Sequence, residues 1–173
     1  MILLHPWAKA KHVQDNIPKD VRECYHVVDG LVSGEFDYYE FLKSHWRKGE
    51  DITIVEHDMK FKLGHIRELD HCDKVVCAFA YYLYPKSTAL MDPVIAHRET
   101  YFMNHFSEWI KPGVGWADLF GFGLTKIGVD AQRLVSLPDR KLPYYTIDDY
   151  VSRRFNGVVR CHVHWPIVEH LKR

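Results

Sequence analysis

Short apolar segments alternate with amphipathic segments along this chain. The clearest apolar segment follows Asp51 and reads Ile52-Thr53-Ile54-Val55, after which it ends abruptly in Glu56-His57-Asp58. A continuous run of Ile, Val and Thr is typical of a strand that is buried on both faces of a sheet. Similar runs predict further strands at residues 1–4, 24–28, 74–80 and 158–164.

Other segments have helical periodicity. In residues 37–48 the aromatic and aliphatic positions recur at helical spacing, Asp37 and Glu40 have the form of a capping box, and Gly49 suits the residue after the helix end. Thr146 and Asp149 resemble a second capping box, opening a helix that Gly157 ends. Shorter helices are predicted at residues 17–23, 63–69 and 99–109.

The order of these elements predicts the fold class. Helix 37–48 joins two strands, which makes a crossover unit with parallel strands. We therefore expect an α/β protein with a mixed, mostly parallel sheet flanked by helices. The length of 173 residues and the 47% hydrophobic share suit one globular domain spanning residues 1–173.

Charge and the start of the chain narrow the class of protein. Lys plus Arg and Asp plus Glu number 23 each, so no overall basic field draws the chain to nucleic acid or to an acidic membrane. The apolar start is broken at Pro6 and is too short for a signal peptide, and no later segment reaches membrane-spanning length. We expect a cytoplasmic protein with no membrane partner and leave its oligomeric state open.

The four cysteines carry a separate expectation. Cys24, Cys72, Cys77 and Cys161 contain no Cys-x-x-Cys pair, and they fall in or beside predicted strands. Reduced, buried thiols are therefore favoured over a disulfide framework or a structural zinc site.

Candidate chemistry begins where the clearest strand ends. Ligands of open α/β sheets bind beyond the carboxyl ends of the strands, where Glu56, His57 and Asp58 would lie. Carboxylate oxygens beside an imidazole suit Mg²⁺ or Mn²⁺ that holds a phosphorylated ligand. The alternative is an ordinary polar turn in which Asp58 caps the next segment.

Two other predicted strands carry polar residues that could bind a ligand. Asp29 ends an early strand, where nucleotide-binding folds often hold a base or ribose, although Asp29-Gly30 is also a common turn. His162 and His164 alternate along a strand and so share one face, which would let them complete a metal site begun elsewhere. Without such a partner they are ordinary strand residues.

The glycine-rich segment Gly121-Phe122-Gly123-Leu124-Thr125-Lys126 lacks the spacing and the final Gly-Lys-Ser/Thr of a phosphate loop. A Walker-type nucleotide site is therefore not supported. Glycines here let the backbone approach a ligand or another strand.

Together these motifs resemble a family. The strand ending in Glu-His-Asp, the glycine-rich segment, the acid-bearing helix and the terminal His-Val-His-Trp-Pro-Ile-Val-Glu-His are similar to those of small GT-A-type glycosyltransferases, family-two-like proteins of bacteria and phages. The resemblance runs from about Val27 to His170. It implies a single-domain, GT-A-like (Rossmann-like) fold and a nucleotide-sugar donor, UDP-linked, whose diphosphate is held by Mn²⁺ or Mg²⁺.

The resemblance also implies roles for particular residues. Asp58 would ligate the metal, and His164 or His162 would complete the metal site. Glu56 stands where the family has its usual Asp, a departure that lengthens the side chain. Glu56 and His57 would contact the donor, and Asp29 would contact the nucleoside.

The acceptor side follows from the same resemblance. An inverting transfer needs a carboxylate base, for which Asp148 is the first choice and Asp149 the second. The segment Gly121, Gly123 and Thr125 would line the pocket, with Trp116 and Trp165 as stacking surfaces or core residues. The acceptor itself is not named by the sequence. For a phage protein modified DNA is a candidate acceptor, and basic residues that would contact its phosphates are Arg133, Arg140, Lys141, Arg153 and Arg154.

Two other classes of function compete with transfer. A metal-dependent hydrolase or phosphoesterase would gather Asp58, His162, His164 and His170 round two or more metals. A module that binds nucleotide or metal without turnover is the third class.

Overall fold

The computed structural model describes residues 1–11, 16–81, 115–118 and 120–171, with the backbone alone at residues 166, 167 and 170. Within these residues the chain forms an eight-stranded sheet with helices on both faces. The strands are β1 (Ile2–His5), β2 (Val27–Asp29), β3 (Ile52–Val55), β4 (Met59–Lys60), β5 (Val76–Tyr81), β6 (Trp116–Ala117), β7 (Leu124–Ile127) and β8 (Cys161–His170). The helices are α1 (Lys19–Cys24), α2 (Asp37–His45), α3 (Leu63–His71), α4 (Val129–Leu134) and α5 (Ile147–Phe155), with a 3-10 turn at Tyr144–Thr146.

The sheet is mixed. Its strand order is β2-β1-β3-β7-β5-β8-β4, and β6 also pairs with β8. Strands β1, β2, β3, β5 and β8 run in one direction, while β4, β6 and β7 run against them. The α/β class and the parallel arrangement of the strands joined by α2 are confirmed, with β1 lying between β2 and β3.

Two apolar layers hold the helices to the sheet. One face is covered by α2, α4 and α5, which bury Leu42, Ala131 and Phe155 among other side chains. The other face is covered by α1 and α3, which bury Val21 and Ile66. Both faces of the central strands are thus shielded from water, which explains why β3 and β5 read as continuous apolar runs.

Two predicted features of the strands need correction. The sequence predicts no strand in the glycine-rich segment. In the structure residues 124–127 form β7, which runs antiparallel between β3 and β5. Strand β8 does not stop at the expected Trp165-Pro166 turn but continues to His170, with a shift of register opposite Phe79 and Tyr81. An irregular register accommodates a proline inside a strand, which the run of residues 158–164 alone did not suggest.

The predicted capping boxes are also wrong. The carboxylate of Asp37 accepts hydrogen bonds from the backbone N–H groups of Ser33 and Gly34, upstream of α2. The hydroxyl of Thr146 donates to the carbonyl of Pro143, and neither helix has a side-chain cap at its N-cap residue. These side chains bond to the preceding loops, because Asp and Thr can satisfy nearby loop groups as readily as helix ends.

Helix α2 is shorter than predicted. Helix α2 stops at His45, three residues before the predicted end, and Arg47 adopts a left-handed φ of 60° while its side chain bonds to α4 carbonyls. The helix expected at residues 99–109 lies outside the described residues. In the described part of the chain, every helix falls short of the length and apolar character needed to cross a membrane.

Candidate functional site

The carboxyl ends of β1 and β3 lie side by side at one edge of the sheet. Strand β1 has β2 on one side and β3 on the other, so the strand order reverses here, as it does at ligand sites of open α/β sheets. Trp7, just after β1, packs with its ring centroid 5.5 Å from that of His57, just after β3. The structure therefore places Glu56, His57 and Asp58 where the sequence predicted them, beyond the end of β3.

Two buried phenols lie against these acids. The Tyr38 hydroxyl of α2 donates to Oε1 of Glu56 at 3.3 Å. Burial, then the charges of Glu56 and Asp148, raise the pKa of Tyr38 well above its ordinary value of 10.0. Burial raises the pKa of Tyr81 in the same way, with Glu56, Asp148 and Asp58 adding to the shift. Both phenols therefore remain protonated hydrogen-bond donors at neutral pH.

Asp148 acts on the same phenols from the first turn of α5. Its Oδ1 accepts a hydrogen bond from the backbone N–H of Asp149 at 2.8 Å, and its charge acts on both Tyr38 and Tyr81. The charges of Glu56 and Asp148, from two distant parts of the chain, thus act on both phenols, and that of Asp58 acts on Tyr81. We call Glu56, Asp58, Asp148, Tyr38 and Tyr81 the acidic crevice.

Gly123 closes the floor of the acidic crevice. Its carbonyl accepts from the N–H of Glu56 at 2.9 Å, and its own N–H donates to the Tyr81 hydroxyl at 3.4 Å. A Cβ at this position would come within 2.7 Å of the Tyr81 ring and 2.9 Å of the Met59 sulfur. Glycine is required here because the Tyr81 ring and the Met59 sulfur pack directly on the backbone.

Thr125 needs correction as a pocket residue. It is fully buried in β7, and its hydroxyl donates to the carbonyl of Gly121 at 2.7 Å. The side chain thus supports the turn that holds Gly121 and Gly123 instead of facing a ligand. Gly121 is itself buried in this turn.

Asp29 ends β2 as predicted but is engaged within the protein. The guanidinium of Arg22 donates to both of its carboxylate oxygens, at 3.1 and 3.2 Å, and His5 contacts it at 3.3 Å. This two-point ion pair ties α1 to the sheet. Its predicted contact with a nucleoside stays a prediction.

Asp149 lies at a groove lined by basic residues. Its carboxylate pairs with Arg153 at 2.6 Å and lines a groove of about 600 Å³. Four of the five basic residues singled out in the sequence line the same groove, which we call the basic groove: Arg140, Lys141, Arg153 and Arg154. The fifth, Arg133, instead pairs with Asp130 on α4.

The structure does not bring His162 and His164 to Asp58. The carbonyl of Asp58 bonds to the N–H of Leu171, which follows His164 by seven residues, a contour of roughly 23 Å along a strand. The shared metal site predicted for Asp58 and these histidines is therefore not assembled. The hydrolase cluster fails for the same reason within the described residues, which do not include the side chain of His170.

The two histidines meet a different set of ligands. Their rings share one face of β8, as predicted, with centroids 4.7 Å apart. One ligand atom each of Cys72, Cys77, His162 and His164 lies within 4.8 Å of the others. We call these four residues the Cys/His cluster. Cys72 and Cys77 are joined by a disulfide here, so the expectation of free thiols is wrong for this pair.

The remaining cysteines and tryptophans also differ from expectation. Cys161 is a buried free thiol, as expected, whereas Cys24 is a free thiol exposed at the end of α1. The indole of Trp116 lies 5.2 Å from the His162 ring, beside the Cys/His cluster and not in the crevice. Trp165 packs against the apolar core, which was the alternative for it.

Sequence reasoning missed the two phenols and the two cysteines. Tyr38 was read as part of an apolar helix stripe, and nothing in residues 74–80 singled out Tyr81. The spacing Cys-x₄-Cys of residues 72–77 falls within the range of zinc sites and was the available signal for the cluster.

Comparison with known proteins supports the fold and no more. No protein-family model and no curated relative matches the chain. Its architecture is similar to that of A197 from STIV, known from a crystal structure, with a TM-score of 0.58. The identity is 14%, over 95% of this chain and 82% of that chain. Likeness at this level of identity concerns the fold alone.

Proposed function

We propose that this chain is a metal-dependent glycosyltransferase of the GT-A type, which moves a sugar from a UDP-linked donor to an acceptor hydroxyl. The observation that supports this proposal best is the acidic crevice. Glu56 and Asp58 follow β3, and Asp148 comes from a helix 90 residues later, yet the charges of all three act on the buried Tyr81, and those of Glu56 and Asp148 also act on Tyr38. Such a gathering beyond the strand ends suits a phosphorylated ligand with a divalent cation.

The donor set fits Mn²⁺ or Mg²⁺. Asp58 and Glu56 offer hard carboxylate oxygens, with the His57 imidazole between them in sequence, and the Tyr38 hydroxyl orients the Glu56 carboxylate. When bound there, the ion would stabilise the negative charge that develops on the departing diphosphate. His162 and His164 take no part in this site.

Asp148 is the proposed base. Its charge acts on Tyr38 and Tyr81 of the acidic crevice, whereas its neighbour Asp149 is held by Arg153 at the basic groove. The first turn of α5 therefore stands between the two surfaces, so an acceptor in the groove would present its hydroxyl near Asp148. A carboxylate at that point can accept the hydroxyl proton as the new glycosidic bond forms.

The basic groove suits a phosphate-bearing acceptor. It gathers four cationic side chains on a chain whose net charge is zero, although Lys141 pairs with Glu40 and Arg153 with Asp149. Modified DNA is the acceptor that we propose to test, because its backbone would place several phosphates along the groove.

Donor binding is tested with Asp58→Ala. Titration calorimetry with UDP, with and without Mn²⁺, should show metal-dependent binding that the variant loses, since the ion would lack its main ligand. Asp130→Ala removes an exposed acid on α4 and serves as the matched control. Nucleotide affinity that is the same with and without Mn²⁺, or that is unchanged in Asp58→Ala, contradicts the proposed metal site.

Transfer is tested with Asp148→Asn. Product analysis by mass spectrometry, over a panel of UDP-sugars and DNA acceptors, should show that the variant binds donor normally and loses about 10²–10⁴-fold in transfer rate, the usual contribution of a general base. Asp130→Asn, an exposed acid outside both the crevice and the groove, is the control. Full turnover in Asp148→Asn would remove the residue from the mechanism.

Acceptor binding is tested at the basic groove. Arg154→Ala should weaken DNA binding and reduce its dependence on salt by about one phosphate contact, because fewer counterions are released. Arg133→Ala removes a basic residue outside the groove and should leave both unchanged. Equal effects of the two substitutions would point to an acceptor other than DNA.

A further inference from the structure

The Cys/His cluster has the composition of a zinc site. Two thiol sulfurs and two imidazoles form the Cys₂His₂ set that binds structural Zn²⁺ as a tetrahedron. With zinc bonds of about 2.0–2.3 Å the edges of that tetrahedron measure about 3.3–3.8 Å. The four ligand atoms already lie within 4.8 Å of one another, so small side-chain rotations bring them to this size.

His164 is prepared as a ligand. Its Nδ1 bonds to Oε1 of Glu68 on α3 at 2.6 Å, which fixes the proton on Nδ1 and leaves the lone pair on Nε2. The side chain is 8% exposed, and among the described residues Nε2 is buried without a hydrogen-bond partner. A buried imidazole nitrogen costs free energy in that state, and a metal ion would satisfy it.

The other ligands are held by neighbouring groups. The Nδ1 of His162 lies 3.6 Å from Sγ of Cys72. The buried ammonium of Lys126 donates to the carbonyl of Cys72 at 2.8 Å, which fixes the segment between α3 and β5. The register of β5 and β8 sets Cys77 opposite His162.

We propose that, once its disulfide is reduced, the chain binds one Zn²⁺ through Cys72, Cys77, His162 and His164 as a structural site that joins α3, β5 and β8. The Cα atoms of the two cysteines are 7.0 Å apart, at the far limit for a disulfide, and sulfurs about 3.8 Å apart on one ion suit this separation. This proposal does not depend on the glycosyltransferase activity.

The chemistry requires a thiol reductant. A dithiol supplies two electrons and two protons to the Cys72–Cys77 bond, giving two thiols and an oxidised reductant. Binding Zn²⁺ then displaces both thiol protons, so the two thiolates balance the charge of the ion. The site is therefore closed to metal in the disulfide form and open in the reduced form.

Cobalt and zinc titrations test the site. Reduced protein, cleared of metal with a chelator, should bind one Zn²⁺ per chain by elemental mass spectrometry, and Co²⁺ should give a tetrahedral visible spectrum with a thiolate charge-transfer band. The double variant Cys72→Ser, Cys77→Ser should lose both, while Cys24→Ser keeps them. Reduced, folded protein that binds no stoichiometric zinc overturns the proposal, as does unchanged zinc binding in the double variant.

A second measurement tests the site in the wild-type chain, in case the double cysteine variant does not fold. In the reduced wild-type chain, Zn²⁺ should slow alkylation of Cys72 and Cys77, followed by peptide mass spectrometry, because bound thiolates are poor nucleophiles. Exposed Cys24 is the internal control, since it lies outside the cluster. Equal alkylation of all three cysteines with and without Zn²⁺ contradicts the site.

Discussion

The acidic crevice and the Cys/His cluster are built from the same sheet in different ways. The crevice collects hard carboxylate oxygens from segments that follow strands or begin a helix. The cluster collects sulfur and nitrogen ligands mainly from within two paired strands, β5 and β8. The two sites share β5, since Tyr81 at its end belongs to the crevice and Cys77 near its start belongs to the cluster, about 13 Å apart along the strand.

The difference teaches how each site depends on the fold. The crevice depends on the ends of elements, where acids follow a strand or begin a helix and where a residue such as Gly123 must stay small. The cluster depends on strand register and on two residues outside it, Glu68 and Lys126, whose hydrogen bonds hold His164 and Cys72 in place. Oxygen ligands favour Mn²⁺ or Mg²⁺, whereas thiolates with imidazoles favour Zn²⁺, so each site can be perturbed without the other.

Among substitutions that should affect one site and spare the other, Gly123→Ala is expected to have the largest effect. The new Cβ would clash with the buried Tyr81 ring, at a cost of about 1–3 kcal/mol for overpacking. Urea unfolding should show this loss, and UDP binding should fall because Glu56 and Tyr81 move, while zinc binding persists. Gly64→Ala in α3 meets no atom within 4 Å and is the control. An unchanged unfolding midpoint for Gly123→Ala would show that the floor of the crevice is loose.

The converse effect is expected from Glu68→Ala. Loss of the carboxylate that orients His164 should weaken zinc binding by about 10–100-fold, the usual effect of removing a group that supports a metal ligand. UDP binding should not change. Glu169→Ala, which removes an exposed carboxylate of β8 paired with Lys60, should affect neither metal. Competition with a chromophoric chelator measures the affinity, and equal affinity in both variants would mean that Glu68 does not support the site.

The sequence predicted the crevice better than the cluster. Glu56 and Asp58 were found because an apolar strand ends in acids, a signal contained in one short segment. Asp148 needed the resemblance as well, and its meeting with Glu56 depends on how α5 packs. The cluster needs the register of β5 on β8, which pairs Cys77 with His162 across 85 positions of sequence. Periodicity placed both histidines on one face but gave no way to know what faces them.

The same reasoning explains the errors in the fold. Strand β7 escaped prediction because glycines interrupt the segment and only two of the four strand residues, Leu124 and Ile127, are apolar. Its Thr125 and Lys126 look like surface residues, yet both are buried, one bonded to Gly121 and the other to Cys72. Burial of such polar side chains is decided by partners distant along the chain, which local pattern does not contain.

A smaller effect is expected from Tyr38→Phe. The substitution removes the hydrogen bond to Glu56, worth about 1 kcal/mol, and leaves that carboxylate less well oriented. UDP affinity in the presence of Mn²⁺ should fall about fivefold by calorimetry, with zinc binding unchanged. Tyr25→Phe removes a phenol that bonds to Asp70 at the protein surface and is the matched control. Equal affinities in the two variants would assign Tyr38 to packing alone.

The smallest effect is expected from lowering the pH, which changes stability through Asp37. Hydrogen bonds from the backbone N–H groups of Ser33 and Gly34 lower the pKa of Asp37 below its ordinary value of 3.8. The folded state thus holds this proton more weakly than the unfolded state does. The resulting stability is complete above the unfolded value, and it is lost as the pH falls through the lower folded value.

Asp37→Asn tests whether this loop anchors the crevice side of the sheet. The variant should lose about 0.5 kcal/mol at neutral pH, and its urea midpoint should fall less steeply than that of the wild type below about pH 4, since one titrating group is gone. Asp130→Asn is the control for an exposed aspartate. Because Asp37 precedes Tyr38, amide exchange in α2 should rise at low pH before exchange in β5 and β8 does. Simultaneous exchange in all three elements would show that the crevice and the cluster lose structure as one cooperative unit.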